Sequence, residues 1–238
     1  QFPRLTHDYG DFAERGLELS CPEAARWILE GESGYVTEEV PGGEAAKYDR
    51  EAMAVLKRTR AKALEILAES DISKALALLL LYGCQAQGEL DGEAERPFDR
   101  AAAWETAKAM ARPGDPAAVL EFFSGLEILT DTWRRRLHTP EPGDWDRRTE
   151  NLLRYLVNRY WLQAVSDYDL YGRVKFMVIS ATLLRLLGGD FRETAQLFSK
   201  EIENDAENLD AILDAAYDSP IFTDAKLLGM LIESGERR

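Results

Sequence analysis

Three side chains between Asn158 and Phe176 have the types and spacing for proton-transfer chemistry. At about 100° per residue, Tyr160, Asp167 and Tyr171 lie on one line of a helix, within its apolar face. This spacing predicts a carboxylate that is aimed at the core between two phenols. Because a buried carboxylate must be paired, hydrogen-bonded or protonated, Asp167 is a candidate anchor for a cation or acceptor of a proton.

A structural interpretation of the same segment stays open. Asp167 or Asp169 could cap the helix that continues through Gly172. Tyr160 and Tyr171 would then be packing residues, and the segment would carry no site.

Cys21 is the other candidate, because it precedes Pro22 at the predicted N-terminus of a helix. The exposed amides and the positive end of the helix dipole at this point favour a thiolate over a thiol. A thiolate can act as a nucleophile or as an iron or zinc ligand, whereas a small buried residue is the structural alternative. Cys84 lies within a predicted apolar helix, so we expect it to be a packing residue.

Several common motifs are absent from the sequence. It contains no glycine-rich dinucleotide or phosphate loop and no nucleophile elbow of the α/β-hydrolase type. His7 and His138 are the only histidines, and their spacing does not suit a zinc site. The acidic run from Glu201 to Asp210 lacks the glycine of a calcium loop, so we interpret it as a solvated helix end and turn.

Charge and apolar content exclude further classes of partner. The chain has 29 Lys and Arg against 43 Asp and Glu, and its net charge of −14 would repel a nucleic-acid backbone. The longest apolar run, Ala75 to Cys84, is about half of the roughly 20 residues that a membrane helix needs. Two cysteines cannot form a disulfide framework, which predicts a reducing, cytoplasmic setting.

Helical periodicity and capping residues predict an all-α fold, a multi-helix bundle of about nine or ten helices that follows a short irregular N-terminal arm. The predicted helices span 22–30, 44–69, 71–87, 100–110, 117–137, 145–168, 170–187, 191–203, 208–217 and 224–233.

The proline- and glycine-bearing piece from His138 to Asp144 is the most linker-like part of the chain. It predicts a division into three parts. Residues 1–43 would form the arm and a short helix, residues 44–138 a first helical subdomain, and residues 145–238 a second.

The segment Leu17 to Arg26, Leu-Glu-Leu-Ser-Cys-Pro-Glu-Ala-Ala-Arg, resembles a motif of the flagellin lysine-N-methylase family. In that family a Tyr-Pro-Arg stretch precedes the motif, and residues 2–4 are similar to it, with Phe2 in the place of the tyrosine. The family's C-terminal helical part is similar to three later segments of this chain: Tyr160 to Phe176, Phe198 to Glu203, and Glu207 to Leu209. The resemblance therefore spans most of the chain.

The resemblance implies that methyl groups pass from S-adenosylmethionine to lysine side chains of flagellin, and that cysteines bind an iron–sulfur cluster. Cys21 would match the last cysteine of the cluster set, and the others would lie upstream of residue 1. Because such a cluster takes four thiolates, we expect it to be incomplete in this chain and the chain alone to be inactive.

Two functions follow from these observations. In the first, the chain is part of a protein-lysine N-methyltransferase in which Asp167, Tyr160 and Tyr171 line the lysine pocket and Cys21 lies at the cluster. A carboxylate or phenolate there would accept the lysine's proton or orient its amine. In the second, the chain is a non-catalytic helical module that binds flagellin or another protein through a groove between helices.

Overall fold

The computed structural model describes residues 44–235 of the chain. The predicted arm, the predicted helix over 22–30 and Cys21 lie outside the described residues. Within 44–235 the chain forms ten α-helices and no strand, which confirms the predicted all-α bundle.

The ten helices are connected by turns and loops, and two of them continue into a turn of different pitch. In chain order they are α1 (Glu44–Ile66), α2 (Ile72–Leu90), α3 (Arg100–Met110), α4 (Pro116–Ser124), α5 (Asp131–His138), α6 (Arg147–Tyr160), α7 (Leu170–Leu187), α8 (Phe191–Phe198), α9 (Ala206–Asp218) and α10 (Asp224–Gly235). A 3-10 turn over Trp161–Val165 follows α6, and a π-helical turn over Ser199–Glu203 follows α8.

The centre of the bundle is the pair formed by α2 and α7. All residues of α7 except Tyr171 and Arg185 are buried, as expected for a helix that is surrounded by others. α2 packs against α7, α1 and α10. Gly83 permits the close approach to α7, because a Cβ atom there would lie 2.6 Å from Val174. None of the helices between 44 and 235 has the length and apolar composition that spanning a bilayer requires.

The prediction of one helix over 117–137 is wrong, because the chain leaves the helix at Gly125 and starts α5 at Asp131. Side chains from elsewhere in the fold bind the intervening amides. The Glu127 N–H donates to Asn208 Oδ1 at 3.0 Å, and the Leu129 N–H donates to Glu201 Oε2 at 2.7 Å. These tertiary hydrogen bonds replace the ones that a continuous helix would make.

The prediction of a helix over 145–168 is wrong in its last third, because α6 ends at Tyr160. The Trp161 indole N–H donates to Thr59 Oγ1 in the core at 3.0 Å, and the chain continues as the 3-10 turn. Tyr168 then adopts a left-handed φ of 60°, which a non-glycine residue rarely does. Residues 160 and 171 are therefore not on one continuous helix.

The loop between α5 and α6 lies against the C-terminal end of α7. The Glu141 N–H donates to the Leu187 carbonyl at 3.1 Å, and the Gly143 N–H donates to the Arg185 carbonyl at 2.8 Å. Buried hydrophobic side chains from both sides of this loop belong to one cluster. The division into subdomains over 44–138 and 145–238 stays a prediction.

Replacing Thr59 with valine is expected to destabilise the fold by about 1–3 kcal/mol, because the buried indole N–H of Trp161 loses its acceptor. Equilibrium unfolding in urea measures the change. The matched control is Thr106→Val on the exposed face of α3, where the hydroxyl bonds only to Ala102 of its own helix. Equal losses in the two variants would contradict the role assigned to the Trp161 hydrogen bond.

Candidate functional site

Asp167 lies in the turn before α7, and its side chain is 51% exposed. Both of its oxygens pair with the guanidinium of Arg173, at 2.9 and 2.8 Å. The prediction that Asp167 is aimed at the core is therefore wrong. The physical reason is the end of α6 at Tyr160 and the left-handed Tyr168, which turn the chain out of helical register.

Asp169 is the N-cap of α7. Its Oδ1 accepts a hydrogen bond from the Gly172 N–H at 2.9 Å and another from the Tyr217 hydroxyl. The capping interpretation of the segment is thus confirmed for Asp169, whereas Asp167 is an ion-pair partner.

Tyr160 belongs to a cluster around the carboxylate of Glu203, which is 3% exposed. The hydroxyls of Tyr160 and Tyr155 donate to Glu203 Oε1 at 2.9 and 3.2 Å, and Arg159 Nε lies 3.3 Å from the same atom. Burial and the negative charge of Glu203 raise the pKa of both phenols. They are therefore protonated donors that hold the end of α6 on the π-helical turn.

Tyr171 belongs to a different cluster, at the start of α10. Its hydroxyl donates to Asp224 Oδ2 at 2.7 Å, and Lys175 Nζ lies 3.3 Å from Asp224 Oδ1. The same ammonium lies 6.0 Å from the ring centroid of Tyr171 and 5.8 Å from that of Tyr217. We call Tyr171, Tyr217 and Asp224 the lysine cage, because together they surround a buried lysine ammonium.

The two phenols of the lysine cage, those of Tyr171 and Tyr217, both have raised pKa values. Burial raises the pKa of Tyr171, and its hydrogen bond to Asp224 raises it further. Burial and the hydrogen bond to Asp169 likewise raise the pKa of Tyr217. Both phenols therefore stay protonated at neutral pH and act as hydrogen-bond donors, Tyr171 to Asp224 and Tyr217 to Asp169.

The turn that carries these residues is held by Gln87 of α2. Gln87 Oε1 accepts from the Leu170 and Tyr171 N–H groups at 2.8 and 2.9 Å, and its Nε2 donates to the Tyr168 carbonyl at 2.8 Å. One side-chain amide thus satisfies three backbone groups around the left-handed residue. Gln87 fixes the entry of the chain into α7 and hence the place of Tyr171.

Replacing Gln87 with leucine is expected to speed amide hydrogen exchange at Leu170 and Tyr171 by about tenfold or more, because both N–H groups lose their acceptor. Exchange measured by NMR reports each amide separately. Gln196→Leu, at an exposed position of α8, is the matched control and should leave both rates unchanged. Unchanged exchange in the Gln87 variant would contradict the clamp.

Cys84 differs from its predicted role, and Cys21 lies outside the described residues. Cys84 is exposed on α2, so the prediction that it is a packing residue is wrong. It lies close enough to Tyr171 for its charge to contribute to the raised pKa of that phenol. Among residues 44–235 no group of three or more His, Cys, Asp or Glu side chains could hold a metal ion. Cys21, the predicted ligand, lies outside that range, and its role stays a prediction.

The three predicted site residues have three different ionic partners: Tyr160 binds Glu203, Asp167 binds Arg173, and Tyr171 binds Asp224. The sequence interpretation missed Asp224 and Lys175. A signal for Lys175 was present, since it and Arg173 stand in the first half of a largely apolar helix, where an unpaired charge would be costly. Nothing in the local sequence around Asp224 marked it.

Comparisons of the chain with protein-family models, with curated proteins and with solved structures found no match.

Proposed function

We propose that this chain is the helical portion of an S-adenosylmethionine-dependent protein-lysine N-methyltransferase that acts on flagellin in the cytoplasm. The resemblance of residues 17–26 and of the later helical segments to the flagellin lysine-N-methylases supports the proposal. The observation that carries it is that Tyr171, Tyr217 and Asp224 hold a lysine ammonium, that of Lys175.

The lysine cage has the groups that amine methylation requires. A lysine ammonium must lose a proton before its nitrogen can attack carbon, and the Asp224 carboxylate can accept that proton. The electron-rich faces of the two tyrosine rings stabilise a cationic nitrogen. The Tyr171 hydroxyl fixes the orientation of Asp224 through its hydrogen bond to Oδ2.

S-adenosylmethionine supplies an electrophilic methyl group on a sulfonium. In the transfer the lysine nitrogen forms a bond to the methyl carbon, the carbon–sulfur bond breaks, and its electron pair stays on sulfur as a neutral thioether. The excess of acidic residues in the chain favours both cationic reactants. Cys21 is proposed as one thiolate ligand of an iron–sulfur cluster, and the steps above do not involve that cluster.

The test is methyl transfer by the full-length protein. Purified anaerobically and incubated with S-adenosylmethionine and flagellin, it is expected to produce methyl-lysine in flagellin, detected by mass spectrometry of the digested protein. Bound iron is expected in the same preparation. The proposal would be contradicted if flagellin stays unmodified and the purified protein is colourless and iron-free. If that protein still binds flagellin tightly, the result favours the non-catalytic binding module.

A further inference from the structure

Each contact between the Lys175 ammonium and the lysine cage is close to the upper distance limit for a contact of its kind. Its Nζ lies 3.3 Å from Asp224 Oδ1, whereas tight charge-assisted hydrogen bonds measure about 2.7–2.9 Å. The two ring centroids lie 5.8 and 6.0 Å away, close to the limit of about 6 Å for a cation–π contact. The ammonium is thus buried and paired, but no single contact holds it tightly.

Two residues of the lysine cage are partly exposed to solvent. Tyr217 is 55% exposed, and the Asp224 side chain is 33% exposed. The flexible four-carbon stem of Lys175 allows its ammonium to move without a displacement of the α7 backbone. A cation that arrives from solvent can therefore contact the exposed parts of Asp224 and Tyr217.

From this geometry we infer that Lys175 is an internal competitor of the substrate lysine, whose ammonium fills the cage until an incoming lysine displaces it. The inference rests on the proposed function, because it assigns the cage to substrate lysine. The cage contains one carboxylate that pairs with an ammonium, so two ammonium groups cannot both be neutralised there. Binding of one excludes the other.

Competition of this kind lowers the apparent affinity for the substrate, because only the fraction of molecules with an empty cage can bind it. Removal of the Lys175 charge at nearly constant side-chain length leaves Asp224 without its ammonium partner in every molecule. The affinity for an external alkylammonium then rises, which is the opposite of what the loss of a structural residue would do.

The experiment uses n-butylammonium chloride, which has the four-carbon stem and amine of a lysine side chain, with the full chain. Titration followed by NMR of the tyrosine rings is expected to show about tenfold tighter binding to Lys175→Met than to the wild type. Lys200→Met, at an exposed position of the π-helical turn, is the matched control and should bind like the wild type. Adding Asp224→Asn to Lys175→Met should remove the gain.

Binding of n-butylammonium to Lys175→Met that is no tighter than to the wild type, with native circular dichroism, would overturn the inference. Lys175→Gln is tested in parallel, so that misfolding of the methionine variant leaves a second variant to decide. The probe requires no methyl transfer. A gain in binding without methylation of flagellin would therefore refute the proposed function alone, and methylation without the gain would refute the competitor alone.

Discussion

Replacing Asp224 with asparagine is expected to lower the rate of methyl transfer to flagellin by about 100-fold or more, because general-base catalysis contributes roughly this factor. The asparagine side chain keeps the shape and can still accept the Tyr171 hydroxyl hydrogen bond, but it cannot take a proton from the lysine ammonium. Single-turnover measurements with saturating flagellin and S-adenosylmethionine isolate the chemical step.

Asp210→Asn is the matched control for this prediction, since Asp210 is an exposed carboxylate on α9. Its rate should equal that of the wild type. Asp167→Asn is also informative, because Asp167 is exposed and paired with Arg173, so we expect only a small change in rate. A rate within twofold of the wild type for Asp224→Asn would remove Asp224 from the mechanism.

Replacing Gly229 with alanine is expected to destabilise the fold by about 3 kcal/mol or more, because the new Cβ atom would lie 1.8 Å from the carbonyl oxygen of Arg112. That oxygen belongs to backbone that is itself fixed, since the Arg112 N–H donates to the Ala225 carbonyl at 2.8 Å. The helix and the loop must separate to make room. The same helix carries Asp224, so the lysine cage would be disturbed as well.

Urea unfolding of the Gly229 variant measures the loss of stability. Gly143→Ala serves as the control, because a Cβ atom there would make an ordinary 3.7 Å contact with the Cα of Gly188. The control should differ from the wild type by less than about 1 kcal/mol. Similar stability of the two alanine variants would show that α10 does not depend on close backbone approach at Gly229.

Local signals predicted much of the helical framework. Asp99 caps a helix over Arg100–Met110, and α7 spans Leu170–Leu187, both with the predicted bounds. Prediction failed where partners distant in sequence replace helical hydrogen bonds, as at Leu129, which binds Glu201. It also failed after Tyr160, where the buried Trp161 indole bonds to Thr59, 102 residues earlier.

The candidate site was found only in part, for the same reason. Tyr171 stood out by its place in a segment rich in Tyr and Asp. Its partner Asp224 is 53 residues away and reaches it because α10 packs against both α2 and α7. Helical spacing within one segment cannot show a contact that is made by three helices.

The π-helical turn joins two parts of the molecule through side chains only two residues apart. Glu201 accepts from Leu129 and Thr130 at the start of α5, while Glu203 accepts from Tyr160 at the end of α6. A force that moves either helix is thus transmitted to the other through this five-residue turn. Insertion or deletion of one residue within it would rotate one carboxylate away from its partners and uncouple the two helices.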